Sequence, residues 1–453
     1  MQLTLGKIAE AVGGSCPPDA AEQTITSVVT DSRQIVAGCL FVALKGKRFD
    51  GHAYIGEAFR QGAVAALVSE HVDGLENPQL VCADTRLAMG LLARFWRQQW
   101  SSGPLVTITG NSGKTTVKEI TATLLQALGP VHATHGNLNN DFGVPLTLFG
   151  LGKQHRAAVV ELGANHIGEI AWTSLLAQPR VAVITNVTGA HLGEFGGMGM
   201  IAQAKGEILN GLPVDGVAVL NRDDHYFPFW QQWALPRHII SFGFHPAADV
   251  SATSLACDPE GHYGFELRWK DKVLGKVSLE LIGRHNVLNA LASAAVALSL
   301  DVAPEEVVNR LNSLQSLPGR LNLVPGLRGS RLLDDSYNAN PGAVKAALET
   351  LMSFSGPRWC VLGAMGELGA DSVALHAEVG AYAAALGVDR LITLGDPAQA
   401  ASQAFGSDTH FDDYADLQAY LIEHLPADAN LLIKGSRSAG MERLVAALRV
   451  NKK

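Results

Sequence analysis

Residues 107–116 read TITGNSGKTT. Gly110 and Gly113 allow a tight backbone turn, so the N–H groups of Asn111, Ser112 and Gly113 and the start of a following helix can face an anion. Lys114 is then placed to reach the β- and γ-phosphates of a nucleoside triphosphate, and the Thr115 hydroxyl to bind Mg2+, with Thr116 next in the helix. The usual motif carries glycine where this chain has Ile108, so the loop is a shortened form. A glycine-rich turn before any helix would look similar, but strand, loop, Lys-Thr-Thr and helix come in the order that phosphate binding requires.

Three further residues matter through where they fall. VVELGANHIGE puts Glu161 at the carboxyl end of a strand, TNVTGAHLGEFG puts His191 just after the next one, and AQAKGEI supplies Lys205 at the start of a helix. Each alone has an ordinary reading as a solvated or structural side chain. Together at the mouth of one sheet beside a phosphate loop, a carboxylate and an imidazole could hold a second divalent cation.

The elements that would position them repeat β then α. Apolar runs without alternation (PLVTITG, AAVVELG, VAVITNV, GVAVLN) indicate strands of a parallel sheet buried on both faces. Before them, LFVAL and AVAALV mark a small α/β unit, and the helix-patterned DTRLAMGLLARFWRQQW ends in SSGP, a boundary near residue 103. Residues 222–275 read as a polar, aromatic insertion, and SLPGRLNLVPGLRGS as a second boundary. RLLDDS, RWCVLG, RLITLG and ANLLIKG then give another doubly wound unit without a phosphate loop. An α/β chain of three domains is expected, at 1–85, 86–315 and 316–453.

Composition narrows the class. With 453 residues, 47% hydrophobic and 17% charged, the chain has material for several cores. A net charge of -8 without a basic block argues against nucleic acid or an anionic membrane as partner. Five scattered cysteines form no C-x-x-C pair, which fits a reducing compartment. The start MQLTLGKIAEAVGG lacks the pattern of a signal peptide and ALASAAVALSL is too short for a membrane span, so a cytoplasmic protein is expected.

The ordered set GNSGKTT, ELGAN, AHL, AKGEI, GRHNVLN, LPGR and DDSYNANP resembles the Mur ligases, ATP-dependent amide-forming enzymes of cell-wall peptide synthesis. The resemblance spans nearly the whole chain and implies a central P-loop ATPase domain and a Rossmann-like C-terminal domain. It implies catalytic roles for Lys114, Lys205, His191 and Arg320, the arginine reaching the γ-phosphate from the hinge between domains. Two Mg2+ ions would be held by Thr115, Glu161, His191 and Lys205, the lysine as a CO2-derived carbamate. Adenine would meet Asn286 and Asn289, ribose Asp335, and the same nucleotide loop would include Tyr337 and Asn340.

DSYNANP, KGSR and TDSRQIVAGCLFVALKGKRFDGHAYI are most similar to the branch that joins D-alanyl-D-alanine to UDP-N-acetylmuramoyl-tripeptide through an acyl phosphate. For these substrates the resemblance implies Ser32, Arg33, Asp50 and His52 in the first domain, Asn137, Asn139 and Asn140 in the second, and Lys434, Ser436 and Arg437 in the third. A monomer is expected. One departure is GAMGELG at 363–369, with Ala364 where the family has Asp, although Glu367 remains. Rival readings are a folate-glutamate ligase of the same superfamily, a single-residue muramoyl ligase, and a P-loop switch that makes no bond; the switch leaves Glu161, His191 and Lys205 unexplained.

Overall fold

The computed structural model describes residues 1–46, 49–187 and 197–450. Among them the strands form three main sheets. The first is parallel, in the order Ser27–Val29, Cys39–Val42, Ala65–Val68, Gln79–Val81. Its two central strands are buried at every position, as their unbroken apolar text requires.

Helix Thr85–Gln99 starts where the Asp84 carboxylate accepts the N–H groups of Arg86 and Leu87. It belongs to two cores: Ala88, Met89 and Leu92 pack in the first unit, and Ala93 in the second. The Arg97 guanidinium then donates to the carbonyls of Ala177 and Gln178, tying the helix end to the central unit.

The central sheet has nine strands, and the phosphate-loop strand Leu105–Thr109 lies between Ala157–Glu161 and Val181–Ile184. Helices Lys114–Leu125 and Arg284–Ser299 cover one face, through Val117, Ile120 and Leu124 on the first and Val287, Leu291 and Val296 on the second. Each such fully buried side chain contributes about 1.5–3 kcal/mol. Ile108 sits inside this sheet, paired with Glu161 and Val183 and fully buried, so a glycine there would remove core rather than ease a turn.

The segment read as an insertion is instead part of the sheet. Strands Val250–Cys257, His262–Trp269 and Lys272–Ile282 extend it as an antiparallel edge. Phe265 and Leu267, then Val277, Leu279 and Leu281, face inward at the two-residue period of strands with one face on the core.

The third sheet runs Asn322–Pro325, Arg331–Asp335, Asn430–Lys434, Arg358–Gly363, Arg390–Leu394, His410–Phe411, parallel except for its first pairing. No described helix is long and apolar enough to cross a membrane.

Candidate active site

Strands of the central and third sheets end at one cleft. Glu161 closes Ala157–Glu161, Asn221 closes Val217–Asn221, Asp335 closes Arg331–Asp335 and Lys434 closes Asn430–Lys434. All four line a cavity of about 770 Å³, with the loop 111–113, Asn286, Asn289, Arg320 and Lys205. Carboxyl ends of parallel strands are where α/β sheets bind ligands, because the following loops and helix N-termini converge there.

The phosphate loop is clamped by hydrogen bonds with Thr185 and Asn186. Ser112 N donates to Asn186 Oδ1 at 3.0 Å, while Thr185 Oγ1 and Asn186 Nδ2 donate to the Ser112 carbonyl at 2.7 and 3.1 Å. Gly110 and Gly113 adopt φ of 145° and 82°. A Cβ on Gly110 would lie 1.9 Å from Thr185 Oγ1, and one on Gly113 would lie 2.5 Å from Asn289 Oδ1. Glycine is therefore required both by conformation and by the neighbours that hold the loop. Lys114 Nζ folds back onto the Gly110 and Asn111 carbonyls at 2.8 and 3.2 Å. Desolvation pushes its pKa down, as does Arg320, while Glu161 and Glu367 oppose the shift.

Below the loop, Glu161 is 2% exposed. Its Oε2 accepts from Thr115 Oγ1 at 2.9 Å and its Oε1 from Asn139 Nδ2 at 2.8 Å. Hydroxyl and carboxylate oxygens this close make a hard-oxygen pair suited to Mg2+. The cradle fits a nucleotide phosphate and the pair fits its metal. Asn139 links this pair to the loop holding Asn137 and Asn140, and all three asparagines line the cavity. Lys205 lies in the last turn of helix Met198–Gly206 and not at a helix start; it is 2% exposed and its pKa falls to about 7, first through burial and then through Lys114. Glu207, Glu169 and Glu367 pull it back up. His191 lies outside the described residues.

Asn286 and Asn289 form a pair, Asn289 Nδ2 donating to Asn286 Oδ1 at 2.8 Å, and Asn286 Nδ2 donates to the Ile282 carbonyl. Across the cleft, the Arg320 guanidinium lies 4.1 Å from the Tyr337 ring centroid, with Arg437 at 5.8 Å. Lys434 Nζ donates to Asp335 Oδ2 at 2.5 Å and to the Asn338 carbonyl at 2.9 Å. Lys434 lines the cavity although it is only 2% exposed, its ammonium held beside Asp335. Ser436 Oγ donates to the Ala364 carbonyl at 2.7 Å, joining the 434–438 loop to 363–369.

Of the first-unit residues, none lines the cavity. Asp50 accepts the His52 N–H and meets His52 Nδ1 at 2.7 Å, and these contacts hold its carboxyl down at about 2. His52 Nε2 accepts from Ser69 N at 3.0 Å, so both ring nitrogens are occupied inside the unit. Ser32 and Arg33 sit in a short helix started by Asp31, whose carboxylate pairs with the exposed Arg33 at 2.7 Å. Sequence reading missed Thr185 and Asn186, which hold the phosphate loop. It also missed His285, which lines the cavity and is kept neutral by burial.

Comparison with known proteins adds three family models: "Mur ligase family, catalytic domain" over residues 24–96, "Mur ligase middle domain" over 108–297 and "Mur ligase, glutamate ligase domain" over 319–437. The chain is 43% identical to the UDP-N-acetylmuramoyl-tripeptide–D-alanyl-D-alanine ligase of Escherichia coli, covering 100% of this chain and 99% of that one. Its structure is similar to a crystal structure of MurF from Acinetobacter baumannii, with TM-score 0.91, 39% identity and 98% of each chain covered. A MurF ligase from Thermotoga maritima in complex with ADP matches with TM-score 0.82 and 31% identity over 93% of this chain and 96% of that one.

Proposed function

The chain belongs to the Mur ligase family, and we infer that it joins D-alanyl-D-alanine to UDP-N-acetylmuramoyl-tripeptide with conversion of ATP to ADP and phosphate. The observation that carries this reading is the cavity lined by the Lys114 loop, the Thr115–Glu161 pair, Asp335 of the third sheet and Arg320 just before that sheet's first strand. A nucleotide switch would need the loop and the metal pair but leaves the buried Lys205 unexplained.

A carboxylate is a poor electrophile because oxide is a hopeless leaving group. In the reaction, an oxygen of the tripeptide's terminal carboxylate attacks the γ-phosphorus and ADP departs, leaving an acyl phosphate. The dipeptide nitrogen then attacks the acyl carbon, loses its proton, and phosphate leaves with one former carboxylate oxygen. Lys114 turns from its own loop carbonyls to the phosphate oxygens, and Arg320 leaves Tyr337 to meet the developing charge. Thr115 and Glu161 would hold Mg2+, which neutralises charge on the phosphates when bound.

Lys205 is read as the carbamylated lysine of the family and, with His191, as holder of a second Mg2+. Its burial supports this, since a pKa lowered to about 7 leaves much of the side chain as the neutral amine, the form that adds CO2. Asn286 and Asn289 take the adenine, Asp335 the ribose, and Asn137, Asn139 and Asn140 the muramoyl peptide. The division at 1–85, 86–315 and 316–453 fits these tasks, with the first unit taking the UDP moiety through Ser32, Arg33 and the Asp50–His52 turn. The enzyme acts in the cytoplasm as a monomer. ADP release that requires both UDP-tripeptide and D-Ala-D-Ala is the result expected; release with folate and glutamate, or with neither acceptor pair, would reassign it.

A further inference from the structure

Lys118 follows Lys114 by one turn on helix Lys114–Leu125, yet it is 2% exposed and does not line the cavity. Burying an ammonium is costly, and two of them four residues apart on one helix repel. Its neighbours Val117 and Ile120 show what packing alone selects on this helix. Lys118 Nζ donates to the Thr134 carbonyl at 2.8 Å and meets Glu119 Oε1 at 2.6 Å. Thr134 is itself 2% exposed, so the first of these contacts lies wholly inside the central unit.

The Thr134 carbonyl stands where the chain leaves the sheet. Strands Val131–Ala133 and Ala157–Glu161 pair in parallel, Ala133 with Val159, and Thr134 N continues the ladder to the Val159 carbonyl at 3.0 Å. The next rung of a parallel pair would run from Glu161 N to the Thr134 carbonyl. In its place Glu161 N donates to Thr134 Oγ1 at 2.9 Å, and Lys118 holds the carbonyl. The chain then turns away from the strand and comes back through Asn139, whose Nδ2 donates to Glu161 Oε1 and whose carbonyl accepts from Gly163 N at 2.8 Å. Both ends of the 134–139 loop are thus bonded to the strand end that presents Glu161 to Thr115.

We propose that Lys118 is a positioning residue: by holding the Thr134 carbonyl off the ladder it leaves the Glu161 N–H to the threonine hydroxyl, and so sets together the aim of Glu161 and the departure of the loop carrying Asn137, Asn139 and Asn140. This rests on the reading of Glu161 as a holder of Mg2+ and of those asparagines as contacts of the muramoyl peptide. Without the ammonium the ordinary rung closes, residue 134 is drawn onto the strand, and Asn139 moves away from Glu161.

Lys118→Met keeps the length of the side chain and removes its donors. Calorimetric titration of a non-hydrolysable ATP analogue into the full chain, with Mg2+ and with EDTA, reads the gain in affinity that the metal brings. That gain should fall about ten-fold in Lys118→Met, the usual effect of disturbing the support of a metal ligand, while affinity in EDTA stays within about three-fold. In steady state, KM for UDP-tripeptide should rise about ten-fold and KM for D-Ala-D-Ala stay within about three-fold. Lys118→Met/Thr134→Val, which has no hydroxyl to compete with the ordinary rung, should melt no lower than Lys118→Met and still show the reduced Mg2+ gain. Should Lys118→Met not fold, the double variant is read in its place. A full Mg2+ gain or an unchanged KM for UDP-tripeptide, whatever the melting temperature, overturns the role of Lys118 and leaves it a part of the fold. Wild type whose affinity ignores Mg2+ instead overturns the metal assignment on which the proposal rests.

Discussion

Ser112 Oγ in the phosphate loop and the Asn340 side chain of the third unit approach to 3.4 Å across the cleft. Asn340 also starts helix Pro341–Met352, its Oδ1 accepting the Ala343 N–H at 2.8 Å. One side chain thus ties the nucleotide loop of one sheet to the first turn of a helix on the other. Asn340→Ala should cost about 1 kcal/mol of third-unit stability through the lost cap. It should also raise KM for ATP several-fold with a smaller effect on kcat. An unchanged ATP KM would mean that the contact does not couple the two halves.

Gly113 and Asn289 offer a coupling measurement. Gly113→Ala should abolish measurable ATP binding, because its Cβ meets Asn289 Oδ1 at 2.5 Å and its φ is 82°. In Gly113→Ala/Asn289→Gly the steric part is relieved, leaving the conformational cost of about 1–2 kcal/mol and the loss of the Asn289 side chain from the adenine side. Nucleotide titration should therefore find the double variant binding better than Gly113→Ala; equal loss in both would assign the whole effect to the backbone.

Metal binding is expected to follow Glu161. Glu161→Gln keeps the shape but removes the charge beside Thr115, so the Mg2+ concentration for half-maximal rate should rise at least about ten-fold, the worth of one charge-assisted contact. Asn139→Ala, which touches only the other oxygen, should shift it less. Identical Mg2+ curves for wild type and Glu161→Gln would remove Glu161 from the metal site.

Much of this site was legible because its residues end recognisable strands. AAVVE stops at Glu161, so an apolar run followed by an acid already located a ligand-binding edge, whereas Asp335, which ends RLLDD in the same way, was reached only through the resemblance. Thr185 and Asn186 escaped notice because their work is hydrogen bonding to loop atoms 73 and 74 residues away, which no local pattern records. The Lys434–Asp335 pair was out of reach for a similar reason: the partners are 99 residues apart and meet only when their strands pair. The antiparallel edge at 250–282 was hidden by polar outward positions, although Val277, Leu279 and Leu281 carry the period.

His376 gives a pH dependence with a definite sign. It is fully buried, its Nε2 accepts from Met365 and its Nδ1 donates to the Ser372 carbonyl, and burial pushes its pKa down. The unfolded chain therefore takes up this proton first, near 6.5, and stability falls as pH drops through and below that value. Thermal unfolding between pH 7.5 and 5.5 should show a steeper loss in wild type than in His376→Gln. Parallel curves would exclude the histidine as the source.

Lys205→Ala should lose nearly all activity and regain part of it with added short-chain carboxylic acids if the side chain serves as an anionic support. Full activity without rescue would remove Lys205 from the site.

The acyl phosphate is tested most directly by oxygen transfer. UDP-tripeptide labelled with 18O in its terminal carboxylate should, on reaction with ATP and D-Ala-D-Ala, deliver one labelled oxygen to each phosphate released, with amide product equal to ADP. Phosphate free of label while amide forms would contradict attack of the carboxylate on the γ-phosphorus.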